Sequence, residues 1–202
     1  MTSPRPAAAL RRGVLLAVML LLPLWAATGP ALAESSTVRD ETGDMWTVRE
    51  GATDGEHAPG ARIGDIARTT FTHTETRVVV SARFVELAPV GRRFTLWVGM
   101  RSRDGRETTL GVRASRRDRD GHTVLMDARG RDLDCGVRHR IGYARDVVRV
   151  VVPRACLDRP AALRFNALSE QWGRRLFYAN LDDGLSPDVP GRVRWTSPLR
   201  AG

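Results

Sequence analysis

Residues 77–100 read RVVVSARFVELAPVGRRFTLWVGM and contain two runs in which apolar side chains occupy every second position. Because successive side chains of a β-strand point to opposite faces, each run predicts a strand with one buried face. Pro89 and Gly91 lie between the runs and predict a turn. The side chains expected to face inward are Val78, Val80, Ala82, Phe84, Phe94, Leu96, Val98 and Met100.

Further short runs of the same kind lie on both sides of this stretch. They occupy residues 63–73, 108–114, 122–128, 135–143, 147–152 and 162–170. Seven or eight short strands separated by Gly, Asp and Pro turns are typical of an antiparallel β-sandwich. The sequence therefore predicts one all-β, jelly-roll-like domain over residues 62–202, preceded by an extended leader or loop over residues 34–61.

The N-terminus has the order of a secretory signal peptide. Three arginines precede an apolar run, and the small-residue sequence Ala31-Leu32-Ala33 follows it. The run is shorter than the roughly 20 residues of a membrane span and contains Pro23. We therefore expect residues 1–33 to be removed and the product to be secreted, with no membrane span after cleavage; a retained anchor is the alternative.

The basic residues are all arginine. The chain has 32 of them, no lysine and a formal net charge of +9, which falls to +6 once the three arginines of the signal peptide are removed. GC-rich coding explains this composition, because arginine codons can be GC-rich and lysine codons cannot. The functional alternative is affinity for an anionic extracellular or cell-wall polymer, since arginine binds phosphate and carboxylate in a bidentate manner. Arg113, Arg116, Arg117 and Arg119 surround Asp118 and Asp120 without an interleaved aromatic side chain, which does not favour nucleic-acid binding.

Cys135 and Cys156 are the two cysteines of the chain. In an exported protein an even number of cysteines predicts a disulfide. If the strands of residues 135–143 and 147–152 turn through Arg145 and Asp146, Ala144 pairs with Val147, and the same register places the two cysteines opposite each other. We expect the disulfide to be structural.

Several segments resemble secreted actinobacterial β-sandwich proteins and, more distantly, the DOMON and family 9 carbohydrate-binding modules. The segments are DETGD at 40–44, GDI at 64–66, the valines at 78–80 and VVVPRACL at 150–157. The resemblance implies a sandwich fold and a carbohydrate-binding-like role. It supplies no site residue, since the axial Met and His ligands of haem-binding DOMON domains have no match here.

Acidic residues are concentrated near both ends of the expected domain. Asp40 and Asp44 stand near its start, and Asp182 and Asp183 stand near its end. The two ends of a sandwich chain can meet at one edge, where carboxylate oxygens suit Ca²⁺. These four residues are therefore candidate calcium ligands, although Asp beside Gly or Pro also stabilises ordinary turns. No other cofactor is predicted.

Trp97 is the candidate residue for contact with a glycan. The alternation of its strand turns it away from the inward side chains, and Arg93 and Thr95 share its face. Sugars stack on exposed aromatic rings. The alternative is that another segment covers Trp97 or that the strand is buried on both faces.

No catalytic motif appears in the chain. There is no G-x-S-x-G sequence and no H-E-x-x-H sequence, and none of the four histidines has metal-ligand spacing. Glu86, Asp127 and Glu170 are carboxylates that no motif selects as a pair. The leading hypothesis is a secreted, non-catalytic binding or envelope-associated domain; the alternatives are a hydrolase whose site is assembled only in three dimensions and a purely structural domain.

Overall fold

A computed structural model of the chain describes residues 33–49, 52, 54–173, 178–185 and 194–202. These residues form thirteen β-strands and two short 3-10 turns at Tyr143–Arg145 and Arg154–Leu157. The strands are β1 Glu34–Arg39, β2 Trp46–Arg49, β3 Gly55–His57, β4 Ile66–His73, β5 Arg77–Phe84, β6 Arg93–Ser102, β7 Glu107–Ala114, β8 His122–Asp127, β9 Arg138–Gly142, β10 Val147–Pro153, β11 Ala162–Trp172, β12 Tyr178–Asp183 and β13 Leu199–Arg200.

The strands form two antiparallel sheets. The small sheet has the order β1-β4-β5-β10-β9, and the large sheet has the order β3-β2-β12-β11-β6-β7-β8, with β13 paired to β11. No α-helix occurs in the described ranges. The expected all-β antiparallel sandwich is confirmed. The described part of the chain contains no helix that is long and apolar enough to cross a membrane.

The core lies between the two sheets and consists of the side chains that the alternation selects. All eight inward residues of β5 and β6 are at most 3% exposed. Phe71 of β4 stacks on Phe165 of β11 with ring centroids 4.9 Å apart, and Phe84 meets Phe94 edge-on at 5.5 Å. These two aromatic pairs join the sheets at different points, because each pair takes one ring from each sheet.

The chain ends contribute more structure than the sequence predicts. Residues 34–61, expected to be an extended leader or loop, contain β1, β2 and β3, and the C-terminal part adds β12 and β13. These strands are short and polar and carry little apolar alternation, so the pattern that selects the central strands does not select them. The expected signal peptide lies outside the described residues except for Ala33.

Cys135 and Cys156 form the expected disulfide, with their Cα atoms 6.0 Å apart. The predicted register is wrong. Val147 pairs with Gly142 and not with Ala144, because residues 143–146 form a 3-10 turn that ends in a left-handed Asp146. Consequently Cys135 lies in the loop before β9 and Cys156 lies in the turn after β10, so the bond joins two loops and not two paired strand positions.

The chain crosses between the sheets immediately after its first strand. β1 is an edge strand of the small sheet, and β2 belongs to the large sheet, where it pairs with β12. Residues 40–45 therefore connect the two layers. The first residue of β4 lies near the same crossing, since the backbone N–H of Ile66 donates to Asp182 of β12.

Candidate functional site

Three aspartates from distant parts of the sequence meet at this crossing, which we call the aspartate cluster. Asp40 and Asp44 lie in the connection between β1 and β2, and Asp182 lies near the end of β12. One carboxylate oxygen from each of the three lies within 4.8 Å of the others. Asp182 is paired with Ser169, which is fully buried. Directly opposed residues of two antiparallel strands lie on the same face of the sheet, so Asp182 also faces inward.

The carboxylates of the cluster are only partly hydrogen-bonded. Asp182 accepts the N–H of Ile66 through Oδ2, but its Oδ1 is buried without a hydrogen-bond partner in the described structure. Both carboxylate oxygens of Asp44 and the Oδ2 of Asp40 are likewise buried without a hydrogen-bond partner in the described structure. Nearby, Asp65 accepts the N–H of Gly43 at 2.8 Å through Oδ2, and its Oδ1 is also buried without a partner. Most buried polar atoms in proteins have partners, so this concentration of unpartnered oxygens is unusual.

Burial shifts the acid–base equilibria of these groups. The pKa of Asp182 is raised to about 9, chiefly by burial, with the hydrogen bond from Ile66 acting against the shift and the charge of Asp40 adding to it. The pKa of Asp40 is raised to about 8, again chiefly by burial and then by the charges of Asp44 and Asp183. Burial also raises the pKa of Asp44. The site therefore favours a bound positive charge or protonated carboxyl groups.

Asp183, the fourth predicted calcium ligand, is not a member of the cluster. It is 7% exposed, and its Oδ1 accepts the N–H of Leu185 at 3.2 Å. Asp65, which is 1% exposed, was not among the predicted ligands. The available signal in the sequence was an aspartate that directly follows a glycine in the short sequence Gly64-Asp65-Ile66.

The outer surface of the small sheet carries a second feature, which we call the basic face. Its outward positions hold Ser, Thr, Val, Arg, Ala, Pro and Gly residues and no aspartate or glutamate. The arginines of the basic face are Arg39, Arg68, Arg77, Arg83, Arg138, Arg140 and Arg149, and all seven are exposed. Within the described part of the chain none of them forms an ion pair, whereas Arg93, Arg101, Arg106 and Arg131 elsewhere do.

The strand register places arginines of the basic face directly opposite one another. Arg39 pairs with Arg68 on the neighbouring strand, and Arg68 pairs in turn with Arg83. Arg140 and Arg149 are opposed in the same way on β9 and β10. Like charges at directly opposed positions destabilise an antiparallel pair. The sequence analysis missed this surface, although arginines at outward positions of the predicted strands, such as Arg77 and Arg83, were a usable signal.

Trp97 and Arg93 lie on the outer surface of the large sheet. The indole of Trp97 rests on Gly111, where an added Cβ would lie 2.7 Å from the ring, and the guanidinium of Arg113 stands 5.0 Å from the ring centroid. Its Nε1 donates to Glu170 at 3.1 Å, and Arg93 approaches the same carboxylate at 3.8 Å. Trp97 is therefore half-buried, and a sugar stacking on it would have to displace Arg113. Its glycan-binding role stays a prediction.

The arginine-rich loop that follows β7 borders a shallow groove of about 600 Å³. The groove is lined by the loops at 89–92 and 115–117, which contribute Arg92, Arg116 and Arg117 but no carboxylate. Asp118 forms no ion pair with these arginines, since its Oδ1 accepts the N–H of Gly121 and its Oδ2 lies 3.3 Å from His122. The groove therefore has three arginines, against seven on the basic face.

The remaining candidate residues have local roles. Glu86 lies 3.9 Å from Arg62, and Asp127 lies 2.6 Å from Arg131, as expected for surface ion pairs. His73 is fully buried in β4, its Nδ1 lies 3.0 Å from the carbonyl oxygen of Leu199, and burial lowers its pKa. These contacts bring none of the three residues into the aspartate cluster.

Comparison of the chain with protein-family profiles, with curated proteins and with solved structures finds no match.

Proposed function

We propose that this protein is a non-catalytic binding domain of the cell exterior that docks an anionic envelope polymer on its basic face. The observation that carries the proposal is a sheet surface with seven exposed arginines, no acidic residue at its outward positions and no ion pair in the described structure. The disulfide between Cys135 and Cys156 supports an oxidising location outside the cytosol.

The geometry of the basic face suits an extended, repeating ligand. Neighbouring strands are about 4.8 Å apart, so Arg39, Arg68 and Arg83 form a row of guanidinium groups across three strands. Arg140 and Arg149 continue the surface on the other two strands. Guanidinium groups bind phosphate and carboxylate through paired hydrogen bonds, which favours polymers with phosphodiester or uronate groups.

The opposed arginines support the proposal, because they are unfavourable for stability and a binding role would explain them. Opposed like charges cost a few tenths of a kcal/mol or more, and nothing in the described part of the chain offsets this cost. Natural proteins commonly sacrifice stability in this way at functional surfaces. A bound polyanion would remove the repulsion.

A hydrolase is the alternative function from a different class. Its best site is the aspartate cluster, where raised pKa values occur, as they do for general acids. Asp44 and Asp182 are, however, only 7% and 1% exposed, so a polymer chain cannot reach their carboxyl groups without local opening. A binding domain therefore accounts for the accessible surface better.

Replacing Arg39, Arg68 and Arg83 together with serine is expected to weaken binding of the mature chain to poly(glycerol phosphate) at least tenfold. Each substitution removes one of the guanidinium groups in the central row. The same substitutions abolish the like-charge pairs, so the melting temperature is expected to stay unchanged or to rise. Binding is measured by titration calorimetry and the melting temperature by circular dichroism.

A matched control removes the same charge elsewhere. Arg103, Arg129 and Arg164 are exposed arginines outside the basic face, and their replacement by serine is expected to weaken binding only slightly. Equal losses in both triple variants would reduce the effect to net charge and contradict the proposal. If replacement of Arg92, Arg116 and Arg117 weakens binding more, the polymer binds in the groove and not on the basic face. If duplex DNA binds more tightly than the envelope polymer, the ligand of the basic face is a nucleic acid and the proposal is wrong.

A further inference from the structure

The aspartate cluster contains buried carboxylate oxygens that no described protein group hydrogen-bonds. Asp44 is only 7% exposed, and both of its oxygens lack a hydrogen-bond partner within the described structure. Asp182 is 1% exposed and has one such oxygen. One carboxylate oxygen of each residue lies within 4.8 Å of one from the other and of one from Asp40, so the three carboxyl groups converge. A buried polar atom without a partner is costly, and a bound cation would remove that cost.

No cationic side chain supplies that ligand. The ion pairs formed by described residues all lie elsewhere and include none of the three aspartates. The orphaned Oδ1 of Asp65, a residue that is 1% exposed, adds a further negative group beside the cluster. Arg62 acts on Asp65 through its charge, but its ion pair is with Glu86 and not with a carboxylate of this group. A buried set of three carboxylates with no directly paired arginine is compatible with a small multivalent cation.

We propose that Asp40, Asp44 and Asp182 bind one calcium ion, with Asp65 supporting the site from the position just before β4. This metal site is independent of the polymer-binding role of the basic face. All three proposed ligands are hard carboxylate oxygens, and none is a thiolate or an imidazole, which zinc and copper prefer.

Burial favours calcium over magnesium. Magnesium keeps several of its waters and demands regular octahedral geometry, whereas calcium accepts six to eight oxygens at about 2.3–2.6 Å in flexible arrangements. Two oxygens on opposite sides of a calcium ion are about 5 Å apart, so oxygens that lie within 4.8 Å of one another can share one such ion. The buried Asp44 and Asp182 leave little room for a retained water shell.

The ion would connect the two sheets. Asp40 directly follows β1 of the small sheet, whereas Asp182 belongs to β12 of the large sheet, and Asp44 lies in the segment that crosses between them. Calcium would thus hold the first edge strand to the rest of the sandwich and neutralise the charge that burial makes unfavourable.

The test is titration of calcium and magnesium into the mature chain after removal of divalent ions with a chelator. Calorimetry is expected to find one calcium ion per chain and at least tenfold weaker binding of magnesium. At a calcium concentration about one hundred times the Kd, the melting temperature is expected to rise by about 5–10 °C. Absence of calcium binding, or equal affinity for magnesium, would overturn the proposal.

Asp44→Asn keeps the side-chain size and removes one buried charge. The variant is expected to bind calcium at least tenfold more weakly while its metal-free melting temperature stays at or above that of the unchanged protein. Asp120→Asn, at an exposed aspartate outside the cluster, is the matched control and should keep the full calcium response. If Asp44→Asn does not fold, Asp182→Asn serves instead, since an amide oxygen can still accept the N–H of Ile66. A cluster variant that binds calcium as tightly as the unchanged protein would also refute the site.

Discussion

Replacing Cys135 and Cys156 with alanine is expected to lower the free energy of unfolding by about 3 kcal/mol. The two cysteines are 21 residues apart, and their disulfide restricts the unfolded chain by closing that loop. For a domain of this size the loss corresponds to a decrease of about 6–12 °C in melting temperature. The core between the sheets stays intact, so the variant should still fold cooperatively.

Thermal unfolding followed by circular dichroism measures this effect. The unchanged protein in reducing buffer is the control, since it loses the bond without losing either side chain, and it should show a similar decrease. A double alanine variant that melts at the same temperature as the oxidised protein would contradict a stabilising role for the disulfide.

Raising the pH from 6.5 to 8.5 is expected to destabilise the metal-free protein. The pKa of Asp182 is raised from its usual 3.8 to about 9, so the folded state holds a proton that the unfolded state has already lost. The contribution of Asp182 to the free energy of unfolding is therefore greatest at a pH below the pKa that Asp182 has in the unfolded chain. It declines as the pH rises, until the pH passes the pKa of Asp182 in the folded protein. For Asp182 alone the decline is about 1.4 kcal/mol per pH unit, or about 3–6 °C in melting temperature.

The chosen pH range separates this effect from that of His73. Burial lowers the pKa of His73, so its contribution to stability is present above the ordinary histidine pKa and is lost as the pH falls below it. Above pH 6.5 the aspartates dominate, and Asp40, with a pKa of about 8, acts in the same direction as Asp182. Asp182→Asn should flatten the dependence. A melting temperature of the metal-free protein that rises or stays constant over this range would contradict the buried, protonated state.

The central strands could be predicted from sequence because their apolar periodicity reports burial directly. Val78, Val80, Leu96 and Val98 recur at every second position of their strands and lie in the core, where they are fully buried. β2 and β3 escaped prediction because short polar strands at a sheet edge bury few side chains. β2 is positioned by pairing with β12, and β3 by pairing with β2, and the local sequence encodes neither pairing.

The register of β9 and β10 shows a second limit. The turn between them was expected to hold two residues, but a 3-10 turn and a left-handed Asp146 extend it to residues 143–146. The side chain of Asp146 accepts the N–H of Leu87 at 2.8 Å, a contact with a distant loop that fixes the turn. This tertiary hydrogen bond outweighs the local preference for a two-residue turn. The sequence of residues 143–147 alone does not contain that information.

The candidate sites were predictable to different degrees. The sequence indicated that Asp40, Asp44 and Asp182 could meet, because acidic residues at both ends of a sandwich chain can share an edge. It did not indicate the basic face, since Arg39, Arg68 and Arg83 are far apart along the chain and become neighbours only through strand pairing. Charge patterns across a sheet depend on register, and register was the least predictable property of this chain.

The most direct test of the proposed function is a titration of the mature chain with poly(glycerol phosphate) at low and at high salt. A basic face that binds phosphate groups predicts measurable binding at low salt, a steep loss of affinity as salt screens the charges, and no binding to a neutral glucan. The same titration with the Arg39, Arg68 and Arg83 triple serine variant should show the tenfold loss even at low salt. Absence of binding to the polyanion at low salt, or equal binding by this variant, would contradict the account.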